Sequence, residues 1–178
     1  MARPPRAGDG PVSPARPPVP TRHTAAARHP GRGVAHRCPA AGLAEVCARA
    51  GHDVRVVGSG PEGLARGRAR LERSLAAAVR KERITGADRD AALPCVTFTA
   101  DLGDLRDRQL PLEATPEHEP TKLRVFAALD EIVEGPGAIL ASNTSALSIM
   151  RLAGATGRPG QVLGLHFCNP APVLPLVR

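Results

Sequence analysis

An α/β protein with a doubly wound parallel sheet is the fold class that the sequence predicts, and two patterns predict it. From residue 41 onward, short runs that are apolar along their whole length alternate with longer amphipathic segments. Fully apolar runs are typical of parallel strands that are buried on both faces. The amphipathic segments place apolar residues three and four positions apart, as helices with one buried face do. Helices packed on both faces of one parallel sheet bury both patterns.

Residues 1–40 differ in composition from the rest of the chain. They carry seven Arg against one acidic residue, Asp9, and therefore supply +6 of the formal charge of +7. They are rich in Pro and contain no Leu, Ile or Phe, so they cannot bury enough surface to offset their chain entropy. We expect a disordered tail over residues 1–40 and a globular domain over residues 41–178. An Arg-rich arm for nucleic acid is the alternative, but no aromatic residue or known module supports it, so we expect no nucleic-acid partner.

The first half of the domain is predicted to form a helix, a strand and a pair of helices. The helix "GLAEVCARAG" ends at Gly51 and is followed by the strand "DVRVV". Ser59 and Thr85 each precede an acidic residue by three positions, which is the spacing of a capping box. They predict the start of a long helix that ends near Lys81 and the start of a shorter second helix. The two helices form a pair inserted between strands.

The second half is predicted to contain four strands and two helices. The strands are "CVTFTA", "QLPLEA", "GAILASN" and "QVLGLHF". The first helix covers about residues 121–133, and the second starts after a cap at Ser145. The buried face of the first helix is predicted to carry Leu123, Phe126, Ala127 and Leu129.

Several classes of protein are excluded by what the sequence lacks. No apolar run reaches the roughly 18 residues of a membrane span, and no apolar segment of a secretory signal follows the N-terminal Arg residues. The four cysteines show no zinc-site spacing, so we expect no metal and reduced thiols in a cytoplasmic protein. The cysteines are Cys38, Cys47, Cys95 and Cys168.

Three predicted strands end in polar clusters, at residues 113–117, 142–145 and 166–169. Ligands of parallel α/β sheets bind beyond the carboxyl ends of the strands, so these clusters should line one edge. Each cluster has a plainer explanation, because a single histidine is commonly structural and "SNTS" is a typical helix cap. The coincidence of three clusters predicts a binding site at this edge.

At these clusters the sequence resembles the NAD-binding domain of the L-3-hydroxyacyl-CoA dehydrogenases, particularly the bacterial 3-hydroxybutyryl-CoA type. The segments "ASNTS" and "GLHFCNPAPV" carry the resemblance, with His166 placed 21 positions after Ser145, as in that family. Two longer segments, "GLAEVCARAGHDV" and "LEATPEHEPTKLRVFAALDEIV", extend it over about residues 42–177. The resemblance implies a Rossmann-type fold in which the helical pair is an insertion after the second strand.

The resemblance also implies an activity and its catalytic residues. A hydride passes from the 3-carbon of a 3-hydroxyacyl-CoA to NAD+, giving a 3-ketoacyl-CoA in fatty acid metabolism. His166 corresponds to the general base, a role that suits the pKa of an imidazole. Ser145 corresponds to a hydrogen-bond donor to the same substrate oxygen, and Asn169 to a residue that holds the thioester end.

Three further residues correspond to cofactor-binding positions of that family. Glu117 and Lys122 match positions that contact the nicotinamide half of NAD, and Asn143 is expected to bind the cofactor beside them. Each charged residue has an alternative. Lys122 is also interpretable as a solvated helix residue, and Glu117 as a first-turn acid that the helix dipole favours.

The sequence departs from the family's pattern at four places. The three glycine positions of the phosphate-binding turn are Ala35, Arg37 and Ala40, the acid after the second strand is Gly58, the fourth strand contains Pro111, and the position of the histidine's carboxylate partner is Arg178. Glycines let phosphates approach the backbone at the helix start, so the first strand and its turn are expected to be missing. Because the first strand is central in this fold, we expect a sheet split into two halves with unpaired edges.

We interpret residues 1–40 and Arg178 as products of a frame shift or of a decayed gene. A divergent protein with a disordered tail is the alternative. The resemblance implies a truncated chain without the C-terminal helical domain, which forms the homodimer in the full-length family. A non-catalytic remnant or regulatory binder that retains part of the fold is therefore the alternative to an NAD-dependent dehydrogenase.

Overall fold

The computed structural model describes residues 22–25, 39–168 and 170–173 of the chain. A single parallel sheet of six strands forms the centre of this described part. The strands are β1 (Arg22–Ala25), β2 (Asp53–Val57), β3 (Val96–Thr99), β4 (Leu110–Glu113), β5 (Leu140–Ser142) and β6 (Val162–Gly164). Their order is β3-β2-β1-β4-β5-β6, and every neighbouring pair is parallel. This is the strand order of the Rossmann-type sheet, so the predicted fold class is confirmed.

The centre of the sheet corrects one prediction. Strand β1 pairs with β2 on one side, from Arg22 with Asp53 onward, and with β4 on the other side, from His23 with Leu110 onward. These residues belong to the segment for which the composition predicts disorder, and the prediction of a split sheet is wrong. The pairing depends on backbone N–H and C=O groups, which a strand offers whatever its side chains are. Residues 1–21 and 26–38 lie outside the described residues, and the predicted tail stays a prediction there.

In the described ranges, five α-helices pack on the two faces of the sheet. They are α1 (Pro39–Arg49), α2 (Gly60–Arg80), α3 (Gly86–Ala92), α4 (Glu119–Ile132) and α5 (Ile149–Ala153). Helices α1, α2 and α3 cover one face and share a core with Val54 and Val56 of β2. Helices α4 and α5 share a second core with Val57, whose side chain points to the opposite face from that of Val56. The apolar periodicity found in the sequence therefore marks the buried faces of these helices.

The two predicted capping boxes have different outcomes. At the start of α3, Asp88 N–H donates to Thr85 Oγ1 over 3.1 Å and Thr85 N–H donates to Asp88 Oδ2 over 2.8 Å, so this box is confirmed. At the start of α2, Ser59 occupies the N-cap position without a side-chain cap hydrogen bond, so the box predicted there is wrong. Gly60, at φ +71°, turns the chain directly after Ser59. The carboxylate of Glu62 instead forms an ion pair with Arg66, one helical turn further along α2.

Helix α5 begins later than the sequence predicts. Ser145 was expected to cap it, but the N-cap residue is Ser148 and residues 143–148 form a loop after β5. In this loop Leu147 N–H donates to Thr144 Oγ1 over 3.0 Å, which forms a turn ahead of the helix. Ser145 therefore lies in a loop at the carboxyl edge of the sheet.

Pro111 lies inside β4, although a proline cannot donate to a strand ladder. It pairs with Thr24 of β1, while the pairing of β4 with β5 starts one residue later, at Leu112. Pro111 is thus near the start of its strand, where a missing N–H is tolerated best.

Helix α2 lies very close to the edge strand β3 at Gly67. A Cβ atom at this position would lie 3.0 Å from Cε1 of Phe98 in β3. The guanidinium carbon of the next residue, Arg68, lies 5.4 Å from the centroid of the same ring, a cation–π distance. The missing side chain of Gly67 therefore sets the separation of the helical pair from the sheet.

In the described part of the chain, no helix combines the length and the hydropathy that a bilayer crossing needs.

Candidate functional site

The polar clusters that follow β4, β5 and β6 meet at one edge of the sheet. In the sheet register Glu113 lies beside Ser142, and Ser142 lies beside Gly164. Just beyond the strands, Asn143 N–H donates to Glu113 O over 2.8 Å and Leu165 N–H donates to Ser142 O over 2.9 Å. For the described residues of the three clusters, the prediction that they share the carboxyl edge is confirmed.

Glu113, the last residue of β4, is a carboxylate without any solvent exposure. Its Oε1 accepts hydrogen bonds from the backbone N–H and the hydroxyl of Thr115, the latter over 2.6 Å. Its Oε2 accepts one from the hydroxyl of Ser142 over 2.7 Å. Lys122 of α4 donates to both oxygens, over 3.0 and 2.8 Å. Buried carboxylates need such partners, and Glu113 joins two strand ends and a helix.

Lys122 is buried as well, with a side chain that is 1% exposed. Besides its two hydrogen bonds to Glu113, its ammonium donates to Thr115 O over 3.0 Å. It also lies 3.5 Å from Oε2 of Glu117. The alternative interpretation of Lys122 as a solvated helix residue is therefore wrong. Its direct contact with a cofactor stays a prediction.

Glu117 connects this buried pair to the loop that contains Ser145. Its Oε1 accepts hydrogen bonds from the hydroxyl of Thr144 and from the backbone N–H groups of Ser145 and Ala146, both over 3.2 Å. Partial burial raises the pKa of Glu117, but the Thr144 hydroxyl, the Lys122 charge and the two N–H groups outweigh it and leave this pKa below its ordinary value. Helix α4 starts only at Glu119, so Glu117 is not a first-turn acid.

The remaining predicted site residues lie around this network. Asn143 follows β5, and its Oδ1 accepts a hydrogen bond from Phe167 N–H over 2.8 Å, which ties the segment after β6 to the loop after β5. His166 is half-buried and lies two residues beyond the end of β6. Ser145 and His166 therefore follow neighbouring strands at the same edge. Asn169 and Arg178 lie outside the described residues.

Four residues of the network were not singled out from the sequence as individual site residues: Glu113, Thr115, Ser142 and Thr144. A charged residue at the end of the apolar run "QLPLEA" was the available signal for Glu113, because a carboxylate in a buried strand needs buried partners. No such signal exists for Thr144, whose hydroxyl accepts from the N–H groups of Ala146 and Leu147 and donates to Glu117. Among the described residues no group of His, Cys, Asp or Glu could hold a metal ion.

The edge fits the two halves of a dinucleotide differently. At the end of β4 and β5, carboxylate, hydroxyl and amide groups suit the polar nicotinamide half. At the end of β2, Gly58 provides no carboxylate for an adenosine ribose, and a Cβ there would lie 2.9 Å from Cδ2 of Leu64. Ala40, at the third glycine position of the phosphate-binding turn, is buried in α1. The described residues therefore fit the nicotinamide half, and the adenosine half lacks its usual acid.

Comparisons with known proteins agree with the geometry. A family model described as 3-hydroxyacyl-CoA dehydrogenase, NAD binding domain, matches residues 40–178. A 3-hydroxybutyryl-CoA dehydrogenase from Mycobacterium tuberculosis is 52% identical over 136 residues, which are 76% of this chain and 48% of that protein. A probable 3-hydroxybutyryl-CoA dehydrogenase from Deinococcus radiodurans is 43% identical, with the same coverage of 76% and 48%. The chain spans about half the length of these curated relatives.

Solved structures show the same fold. The crystal structure of FadB2 from Mycobacterium tuberculosis matches with a TM-score of 0.79 and 46% identity, covering 88% of this chain and 53% of that chain. The (S)-3-hydroxybutyryl-CoA dehydrogenase PaaH1 from Ralstonia eutropha matches with a TM-score of 0.78 and 32% identity, with coverage of 88% and 53%.

Proposed function

Because the chain belongs to the family of 3-hydroxyacyl-CoA dehydrogenase NAD-binding domains, we propose that it serves the NAD+-dependent oxidation of a 3-hydroxyacyl-CoA to a 3-ketoacyl-CoA. The names of its relatives support 3-hydroxybutyryl-CoA as the substrate. One observation carries the proposal: the Ser145 loop and the His166 segment lie beside each other at the carboxyl edge and are linked through Asn143.

The chemistry divides between the cofactor and the side chains of this chain. Bound NAD+ supplies the hydride acceptor. His166 takes the proton of the substrate hydroxyl as general base, which requires its neutral imidazole. Ser145 donates a hydrogen bond to the same substrate oxygen and orients it, and Asn169 holds the thioester end of the acyl-CoA.

On the cofactor side, Glu117 and Asn143 border the nicotinamide half. The partial exposure of Glu117, whose side chain is 38% exposed, supports this role. Lys122 is enclosed by Glu113 and Thr115, so it acts on the cofactor side only through its charge, which lies 3.5 Å from Glu117 Oε2. We further propose a cytoplasmic location, and a homodimer for full-length members of the family.

The proposed function is tested by following NADH formation from 3-hydroxybutyryl-CoA and NAD+. Replacement His166→Ala should lower turnover by at least about 100-fold, because a general base contributes at least that factor. Replacement His52→Ala is the matched control, since His52 lies between α1 and β2, away from the carboxyl edge, and should leave turnover unchanged. Equal losses in both variants, or full activity of His166→Ala, would contradict the assignment of His166.

A non-catalytic remnant or regulatory binder that retains part of the fold is the second candidate, and the absence of a carboxylate at Gly58 favours it, because an adenosine ribose lacks its usual partner there. This candidate predicts that NAD+ neither forms NADH nor raises the unfolding temperature of the chain. Turnover, or stabilisation by NAD+, would contradict it.

A further inference from the structure

We propose that Glu113 is a positioning residue: its buried carboxylate takes the close hydrogen bonds of Lys122, leaves Glu117 only a longer ion pair with that ammonium, and thereby keeps Glu117 bound to the loop that contains Ser145. The importance of this loop for catalysis rests on the proposed function. The geometry itself involves only described side chains of this chain.

The first step is the division of Lys122 between two carboxylates. Its Nζ lies 2.8 and 3.0 Å from the oxygens of Glu113 but 3.5 Å from Glu117 Oε2. Glu113 is wholly buried, whereas the side chain of Glu117 is 38% exposed. The attraction between charges is stronger where water is excluded, so Glu113 holds the ammonium. With its third donor on Thr115 O, Lys122 has no N–H left for a close bond to Glu117.

The second step concerns the Glu117 carboxylate. Its Oε1 accepts from the Thr144 hydroxyl and from the N–H groups of Ser145 and Ala146, while its Oε2 faces Lys122. A closer bond to the ammonium would draw this carboxylate towards α4 and away from the loop. The three loop contacts therefore depend on Lys122 being held elsewhere.

The third step is what happens when Glu113 loses its charge. A buried ammonium requires a carboxylate partner, because an unpaired buried charge is very unfavourable. Among the described residues, Lys122 forms ion pairs only with Glu113 and Glu117. In Glu113→Gln the ammonium should therefore move to Glu117 and release the loop.

Amide hydrogen exchange of the 15N-labelled full chain tests this directly. In Glu113→Gln, exchange at Ser145 should become at least about tenfold faster, because its N–H group loses the Glu117 carboxylate as acceptor. Exchange at Ala146 should also become faster but by a smaller factor, because its N–H group keeps the 3.3 Å bond to Thr144 Oγ1. Replacement Glu131→Gln removes one exposed charge from α4, the helix that carries Lys122, and should leave both amides unchanged. Unchanged exchange at Ser145 and Ala146 in a folded Glu113→Gln protein would overturn the proposal.

The double replacement Glu113→Gln with Lys122→Met separates positioning from a general structural role. Methionine fills the space of the lysine stem without its charge, and neutral replacements of buried pairs are well tolerated. With no ammonium to draw it away, Glu117 should bind the loop again, and exchange at both amides should return to within about threefold of the parent chain. Faster exchange that persists in the double variant would mean that Glu113 supports the loop only through its bonds to Thr115 and Ser142.

A third variant covers the case in which Glu113→Gln does not fold. Glu117→Gln changes a partly exposed side chain, so it should fold, speed exchange at Ser145 and Ala146, and leave the Nζ protons of Lys122 as slow to exchange with water as in the parent chain, because Glu113 still holds them. Much faster exchange of the Nζ protons would show that Glu117 holds Lys122, which contradicts the proposal. None of these measurements requires turnover, so a chain without dehydrogenase activity would contradict the proposed function and not this inference.

Discussion

Glu45, in the middle of α1, is a carboxylate with no solvent exposure outside the candidate site. Neither of its oxygens accepts a hydrogen bond from the described residues, and the nearest cation is Arg49, whose Nη1 lies 3.6 Å from Oε1. Burial raises the pKa of Glu45 above its ordinary value, and this effect outweighs the opposing influence of Ser74 and Arg49. The residue therefore lowers the stability of the fold when it is ionised.

Replacement Glu45→Gln should raise the free energy of unfolding by about 1 kcal/mol at pH 7, because it removes an incompletely paired buried charge. The folded protein binds a proton at Glu45 more readily than the unfolded chain does. Stability from this residue is therefore fully present below the ordinary pKa of a glutamate and is lost as the pH rises through the raised pKa. Urea unfolding at pH 7 and at about pH 4 should show that the gain disappears at the lower pH.

The exposed residue Glu72 of α2 provides the control for this prediction. Glu72→Gln should leave the free energy of unfolding within about 0.5 kcal/mol at both pH values. A gain from Glu45→Gln that is equal at both pH values would show that the charge of Glu45 is not its source.

The sequence identifies single residues of the candidate site better than it identifies their partners. Lys122 and Glu117 could be named because they lie in a segment that resembles the family. The hydrogen bonds of Lys122 to Glu113 and of Glu117 to the loop after β5 could not be predicted. Those bonds join β4, α4 and the loop after β5, and they arise only when the sheet brings these segments together. Side-chain identity predicts the chemistry available, and tertiary packing decides which groups are buried against each other.

At the scale of helices and strands, the two helices of the inserted pair start differently although both carry the same capping signal. Thr85 forms a reciprocal capping box with Asp88, and the two hydrogen bonds from Thr85 leave the pKa of Asp88 below its ordinary value. Ser59 makes no such bond at the start of α2. The spacing of the two pairs is identical, so the difference comes from the backbone around Gly60.

Replacement Thr85→Ala should therefore lower the free energy of unfolding by about 1 kcal/mol, the usual cost of losing a cap. Replacement Ser59→Ala is the matched control and should cost less than about 0.5 kcal/mol, because no cap hydrogen bond is lost. Urea unfolding curves of both variants provide the comparison. Equal costs would contradict the difference between the two helix starts.

Most helices and strands could be predicted because their signals are local. The apolar period of α2 and the apolar run of β2 each lie within one segment of sequence, and both appear where they were expected. The start of α5 could not be predicted, because the hydroxyl of Thr144 forms a turn that competes with a cap at Ser145. Serine and threonine are common both at helix caps and in turns, so their spacing in the sequence does not show which of the two structures forms.

At the scale of the whole molecule, the sheet is continuous because β1 lies between β2 and β4. The sequence of β1, "RHTA", has no apolar run, so no local pattern predicts a strand there. Its place in the sheet depends on backbone pairing with segments that are about 30 and 90 residues away along the chain. Amino-acid composition does not show such backbone pairing, which explains why the predicted split of the sheet is wrong.

Replacement Thr24→Pro tests this central position. Thr24 pairs with Arg55 on one side and Pro111 on the other, so a proline should disturb the ladder and lower the free energy of unfolding by about 2 kcal/mol or more. Thr24→Val keeps the backbone N–H and should leave the strand ladder intact. Amide exchange at Val56 and Leu112 should accelerate only in the proline variant. Equal behaviour of the two variants would contradict a central β1.

The close approach of α2 to β3 has a mechanical consequence. Helix α2 has 21 residues, so it is a rod of about 31 Å that touches the sheet edge near one third of its length, at Gly67. A methyl group at Gly67 would press against the Phe98 ring and tilt α2 away from β3. The displacement of α2 would increase with distance from Gly67 and be largest at its C-terminal end, from which the chain continues into α3. The position of α3 relative to the sheet therefore depends on the absence of a side chain at Gly67.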